Sequence, residues 1–382
     1  MQGKKLVNAR VVKNKDGKLY IENTPIYTYK GNIVDEKQFI CDFQEYNMHG
    51  KIIMPGLFNI HSHLGESLYR DVHGNSWTLD KYLQHTDFLN KQMSQNERKR
   101  FWEKSANITI EEMMKNFTVC YCSARSAQIS LKTKIVNMSG YPIMNNIKLL
   151  EYKEQGIDGF VSYLNNYRSD RCSVGVFLHS VYANDRISFE LAKKCMDNGA
   201  EFITTHVSED YQSSLRENRM HGMTAVEVLD MYKILNKKTI LVHCGYISKT
   251  DMELIKERGA SICICPISNL FLNTKMIDIN VLNEMEIPWY IGTDGLATGR
   301  TFSLRHQIRM AKQYYNDIGY QDYFASISFQ PAKQLNRMIY TGNIETGTIA
   351  DFIIFDSQKK EIEEIMEDFF KAKRERIALL HL

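Results

Sequence analysis

Up to about residue 54 the apolar positions fall in short runs, KKLVNARVV, LYIEN, PIYTYKGNIV and KIIM, and NKDGK breaks the first from the second. None has helical spacing, and short runs between turn signals predict a small β unit. At Pro55 the pattern changes. Apolar, β-branched runs now alternate with amphipathic stretches, the signature of strand–helix units around a parallel sheet. The predicted strands are GLFNIHSH, NFTVCYCS, SVGVFLHS, EFITTHVS, KTILVHCG, SICICPIS and PWYIGTDG. FELAKKCMDNG, TAVEVLDMYKIL, KTDMELIKERG and INVLNEM read as helices between the later ones, several closing at Gly. One more strand is expected between Glu112 and about Asp158. The sum is roughly eight, which fits an α/β protein built on a (β/α)8 barrel. The tail holds one strand, ADFIIFD, and then a charged helix from about Lys359 to Arg376. The expected organisation is an N-terminal β segment over 1–54, the barrel over 55–335 and a C-terminal segment with a terminal helix over 336–382.

Composition narrows the class. The 382 residues are 43% hydrophobic and 24% charged, which excludes disorder, collagen and coiled coil as the main architecture. A net charge of +3 gives no reason to expect a nucleic-acid or acidic-membrane surface. The N-terminal MQGKKLVNARVVKNKDG has no apolar run of signal-peptide length, and no segment approaches a membrane span. The eight cysteines are scattered, as expected of reduced thiols in a cytoplasm. Cys120/Cys122 and Cys263/Cys265 could be metal half-sites, but each pair lies in a β-like run where alternate residues share a face. Buried core cysteine is the expectation for both pairs.

Chemistry gathers at the strand ends. His61 and His63, then His179, His206, His243 and Asp294 stand at or just beyond the C-terminal ends of five predicted strands. In a closed parallel barrel those ends meet on one face, where barrel enzymes keep their active sites. One buried histidine is more often a hydrogen-bonded core residue than a ligand; five in equivalent positions, with an aspartate, argue otherwise. His61 and His63 are two apart on a strand, so both rings leave from one face. His206 and Asp294 complete a His3Asp set with room for a water, suited to zinc or ferrous iron and less to manganese. Glu209, three residues after His206, can face that water without being a ligand. Its expected role is to shuttle protons to a ring nitrogen and a departing amine, with His243 polarising the developing alkoxide and Asp294 taking the water's first proton.

The residues His61-Ser62-His63 after Met54-Pro55-Gly56, His206-Val207-Ser208-Glu209, Leu241-Val242-His243 and Gly292-Thr293-Asp294-Gly295 resemble the amidohydrolase superfamily. Within it they are most similar to the deaminase and chlorohydrolase-like group. The resemblance spans about residues 50 to 350. It implies a one-metal barrel flanked by a small β-sandwich built from both termini, and Gly342 to Asp351 resembles the return from barrel to sandwich. The His-x-x-Glu element favours deaminases. The fourth strand ends at Leu178-His179-Ser180, without the bridging lysine of binuclear members, so one divalent metal, Zn2+ before Fe2+, is implied.

The resemblance also implies that His179 touches substrate, and that Glu66, Tyr69, Arg70 and Trp77 on the loop 66–80 could hold a sugar or stack a base. Asn269, in Pro266-Ile267-Ser268-Asn269, resembles a Ser-Asn element of the family. Arg168 and Arg171 could bind an anion, though solvation is the better expectation. The function expected is hydrolytic deamination of an amino-substituted heterocycle, such as a purine base or nucleoside, with a metal-activated water attacking the amine-bearing carbon. Hydrolytic dechlorination or cyclic-amide opening is the alternative within the fold, and a non-catalytic metal-binding member the alternative outside catalysis. Barrels of this type often self-associate, so a homo-oligomer is an expectation that no sequence stripe specifies.

Overall fold

The computed structural model describes residues 2–38, 42–72, 77–130, 133, 135–145, 150–333 and 339–382. Cys41, His73 and part of the loop 66–80 lie outside the described residues. Eight parallel strands stand side by side in chain order: β1 (Leu57–Asn59), β2 (Thr118–Ala124), β3 (Val136–Ile143), β4 (Cys172–Ser180), β5 (Ile203–Val207), β6 (Thr239–His243), β7 (Ser261–Ile264) and β8 (Trp289–Ile291). The second early strand expected between Glu112 and Asp158 is β3.

Period-two alternation sorts the strand residues between two cores. Phe58, Cys120, Cys122, Met138, Ile240, Val242, Cys263 and Tyr290 share the cluster inside the barrel. Leu57, Val174, Val176, Leu241, Ile262 and Ile264 face outward, in the cluster that also holds Phe160, Leu191, Ala192, Val228 and Ile255 of the surrounding helices. Cys265 joins the inner cluster as well, so both Cys-x-Cys pairs are core, as their alternation predicted. The helices start where side chains can cap them. Asp185, Thr224 and Ser248 each accept a backbone N–H of the first turn. Helix Lys249–Arg258 ends at Gly259, whose φ of 71° suits a residue without Cβ.

Neighbouring strands from β1 to β8 are joined by ladders. Between β8 and β1 the join is made at the end of β1 and beyond both strands. Asn59 accepts from Thr293 N at 3.1 Å through Oδ1 and donates to Thr293 Oγ1 at 2.7 Å through Nδ2. The His61 carbonyl takes the N–H groups of Thr293 and Asp294 at 3.1 and 3.2 Å.

Both chain ends fold against the barrel's flank. A five-stranded sheet runs in the order Ile377–His381, Asp351–Phe355, Ile52–Pro55, Arg10–Lys15, Lys18–Glu22. A four-stranded sheet is formed by Asn32–Val34, Ile26–Tyr29, Gly3–Val7 and Phe43–Asn47. Leu6, Ile26 and Ile33 of the second pack on Val11, Ile53 and Phe352 of the first, so the two make a sandwich from both termini. The tail departs from expectation. Its helix is confined to Ile362–Lys371, and Ile377–His381 leaves it to pair antiparallel with Asp351–Phe355. The flanking charges read as helix surface; the edge of a sheet that only the folded chain provides makes the last residues a strand.

Candidate metal centre and catalytic groups

The site forms at the C-terminal mouth of the barrel because that is where the strands stop being regular. His61 and His63 follow β1, His206 is in β5, His243 ends β6 and Asp294 lies just past β8. His243 and Asp294 have φ of 71° and 60°, and Ser208, past β5, has 43°. Left-handed backbone is uncommon outside glycine and gathers at functional sites. Here it turns the chain sharply at three strand ends whose neighbouring side chains line one cavity.

The Nε2 atoms of His63 and His61 each lie 3.2 Å from His206 Nε2. Asp294 Oδ1 is 3.1 Å from His63 Nε2 and 3.7 Å from His61 Nε2. One atom from each of the four residues falls within 4.8 Å of the others. Three further contacts fix what these atoms present. His206 donates its Nδ1–H to the His179 carbonyl, which leaves the Nε2 lone pair facing inward. Ser268 and Thr298 donate their hydroxyls to Asp294 Oδ2 at 2.5 and 2.7 Å, which leaves Oδ1 for the imidazoles. Ring nitrogens converging at this range, beside a carboxylate oxygen, are the donor set of a borderline divalent cation. Burial opposes a proton on His63, yet Glu66 and then Asp294 outweigh it and hold that imidazole up at about 9, whereas burial holds His61 and His206 below the usual imidazole value.

Two carboxyl groups in this cavity are pushed in opposite directions. Burial, and next the Asp294 charge, raises Glu209 well above the usual carboxylate range. Asp294 is just as buried, but His61 and His63 override that and hold it well below. Glu209 Oε1 stands 3.5 Å from His243 Nε2. Burial keeps His243 neutral, down at about 4. A buried acid, an ionised base and a neutral imidazole in one cavity are the parts of proton-transfer chemistry.

The cavity, about 360 Å3 counted to its mouth, is lined by His63, His179, His206, Glu209, His243 and Asp294 together with Glu66, so most of the residues singled out in the sequence meet there. Glu66 packs so closely that a side chain at Gly295 would meet its carboxylate at 2.4 Å. Other residues lie elsewhere. Trp77 is not in the lining; its ring stacks on His85 at 5.0 Å. Asn269 is buried but not in the lining; its amide donates to Thr274 Oγ1 at 2.9 Å. Tyr69 packs on Phe101 and Arg70 grips Glu112, which anchors the loop. Arg168 and Arg171 precede the start of β4, at the mouth opposite the site.

Reading the sequence missed Tyr82, Tyr182, Thr298 and Ser268. Tyr82 had a signal: Leu79, Tyr82 and Leu83 recur at helical spacing, and helix Leu79–Lys91 lays that stripe along the cavity. Thr298 had none, because a hydroxyl that orients a carboxylate looks like any other threonine; Ser268 stood in the Ser-Asn element, where the role was given to Asn269 instead.

A 5-methylthioadenosine/S-adenosylhomocysteine deaminase of Acetivibrio thermocellus is 26% identical over 330 residues, 82% of this chain and 74% of that protein. Among solved structures, a guanine deaminase from C. acetobutylicum with bound guanine superposes with a TM-score of 0.83 at 18% identity, covering 98% of this chain and 97% of that one. A zinc-bound adenosine deaminase from Xanthomonas campestris gives 0.82 at 19% identity, covering 98% and 91%. At such identities the structures speak for the fold. The family model for the amidohydrolase family matches residues 52–379, which takes in the four candidate ligands, Glu209 and His243, and this chain belongs to the amidohydrolase family.

Proposed function

We propose that this protein is a zinc-dependent hydrolytic deaminase acting on an amino-substituted heterocycle of the purine base or nucleoside kind. The observation that carries this reading is geometric: the donor atoms of His61, His63, His206 and Asp294 lie within 4.8 Å of one another, and the cavity beside them also holds Glu209, 3.5 Å from His243. The names of similar proteins support the substrate class, and a zinc-bound structural neighbour supports the metal. When bound, the ion lowers the pKa of a water so that it can attack carbon at neutral pH. His61, His63, His206 and Asp294 would hold it.

The chain's own groups handle the protons. Asp294 accepts the first proton of the attacking water. Glu209 delivers a proton to the ring nitrogen next to the attacked carbon, and His243 steadies the charge that develops on oxygen. Glu209, now empty, takes the hydroxyl proton of the tetrahedral intermediate as the carbonyl forms and passes it to the amine, which leaves as ammonia; the proton held by Asp294 then restores Glu209. Leu79, Leu83 and Leu272 give the cavity its apolar wall, suited to a flat ring. Among the described residues no helix is long and apolar enough to cross a membrane, and the buried reduced thiols support a cytoplasmic setting. The test is ammonia release from aminopurines, adenosine-like nucleosides, pterins and cytosine, alongside halogenated triazines and lactams. Deamination of a purine is the expected result; turnover of halides or lactams alone would overturn it.

A further inference from the structure

The helix after β5, Tyr211–His221, turns a polar face inward. Its buried side chains are Ser213 and Glu217, where such a helix normally seats an apolar stripe. Ser213 is occupied locally, closing a capping box with Asp210. Glu217 is 0% exposed. The arginine beside it, Arg216, pairs with Asp80 instead. Among the described residues the hydrogen-bond donors to the Glu217 carboxylate are both on Ser208, the hydroxyl at 2.8 Å and the backbone N–H at 3.4 Å. Burying a carboxyl group with no cation hydrogen-bonded to it costs stability, and its hydrogen bonds to Ser208 offset part of that cost.

That residue is the hinge of the site. Ser208 lies between His206 and Glu209, in the left-handed conformation with φ of 43°. The stretch is held from its other side by backbone, Tyr246 N to Ser208 O at 3.1 Å and Cys244 N to Val207 O at 3.0 Å. A serine does not hold that conformation unaided. Were Ser208 to relax to extended backbone, the next residue would swing away and the Glu209 carboxylate would leave the cavity. We propose that Glu217 is a positioning residue for the reaction: by clamping the N–H and hydroxyl of Ser208 it fixes the left-handed turn that aims Glu209 at His243 and the reacting ring.

This rests on Glu209 acting as the proton shuttle, and the test separates the two ideas. In the metal-loaded enzyme, Glu217→Leu is expected to lower kcat by about 10- to 100-fold, as a displaced catalytic group does, while KM and bound metal stay at the wild-type level. Glu217→Gln keeps an acceptor for Ser208 and recovers most of the loss. Ser208→Ala, which removes only the hydroxyl half of the clamp, falls between them. In crystals of the Leu variant the Glu209 carboxylate moves off His243, a readout that needs no substrate. A folded Leu variant with wild-type kcat or an unmoved Glu209 overturns the proposal, as does a Gln variant no better than Leu. If the Leu variant does not fold, wild-type kcat in Ser208→Ala overturns it. A Glu209→Gln enzyme with full kcat would instead sink the shuttle itself.

Discussion

Glu209 and Asp294 are both buried carboxyl groups of one cavity, and their neighbours decide which keeps its proton. Glu209 has another acid facing it; Asp294 has imidazoles. An acid works while protonated, so activity that depends on Glu209 is lost as pH rises through its raised pKa. Glu209→Gln should abolish that alkaline limb and lower kcat by about 100- to 10,000-fold with bound metal unchanged, which pH–rate profiles and elemental analysis check. A second prediction concerns the hydroxyls on Asp294 Oδ2. Removing them, as Ser268→Ala with Thr298→Val, frees the carboxylate to rotate and should weaken metal affinity by about 10- to 100-fold, measured by competition with a chromophoric chelator. His61-x-His63 and His206-x-x-Glu209 were legible because chemistry that needs adjacent donors writes a spacing. The supporting hydroxyls were not, because they act from other elements, and Asn269 drew attention that its neighbour Ser268 holds in the fold.

Seven of the eight strands were legible as elements because each alternates between an inner and an outer core; β3 was expected only as one more strand within a range. The seam between the first and the last was not legible. β1 carries His61 and His63, β8 leads to Asp294, and Asn59 with the His61 carbonyl joins the two sides. Gly292 lets them approach: a Cβ there would stand 3.0 Å from His61 Cβ. Asn59→Leu, similar in size but unable to hydrogen-bond, should therefore loosen the metal set across the seam. The expected outcome is faster metal loss to chelator than from wild type, with the far-UV circular dichroism unchanged. The helix Leu79–Lys91 is tied down more lightly. Its Asp80 meets Arg216 at 2.8 Å, but both side chains are more than a third exposed, so the pair is worth about 0–1 kcal/mol. Asp80→Asn should leave the melting temperature nearly unchanged, which a thermal scan checks.

At the scale of the molecule, four candidate ligands from three separate stretches of barrel are brought together by the packing of the strands. The clusters on both sides of the strands are large and apolar. Stripping the metal should leave a folded barrel with a lower melting temperature, and added zinc should restore about 4 kcal/mol at a free concentration a thousand times Kd, read by calorimetry with and without chelator. The hydrophobic periods along the chain were enough to specify an α/β barrel with a β appendage, and the strand-end histidines were enough to specify where its chemistry lies, since both follow from repeats of two and about four residues within single segments. Which serine turns Asp294, which asparagine closes the ring, why Glu217 is buried, and that the last residues are a strand were settled only by folding. Each depends on a partner tens to hundreds of residues away or on a backbone angle, and local spacing carries no record of either.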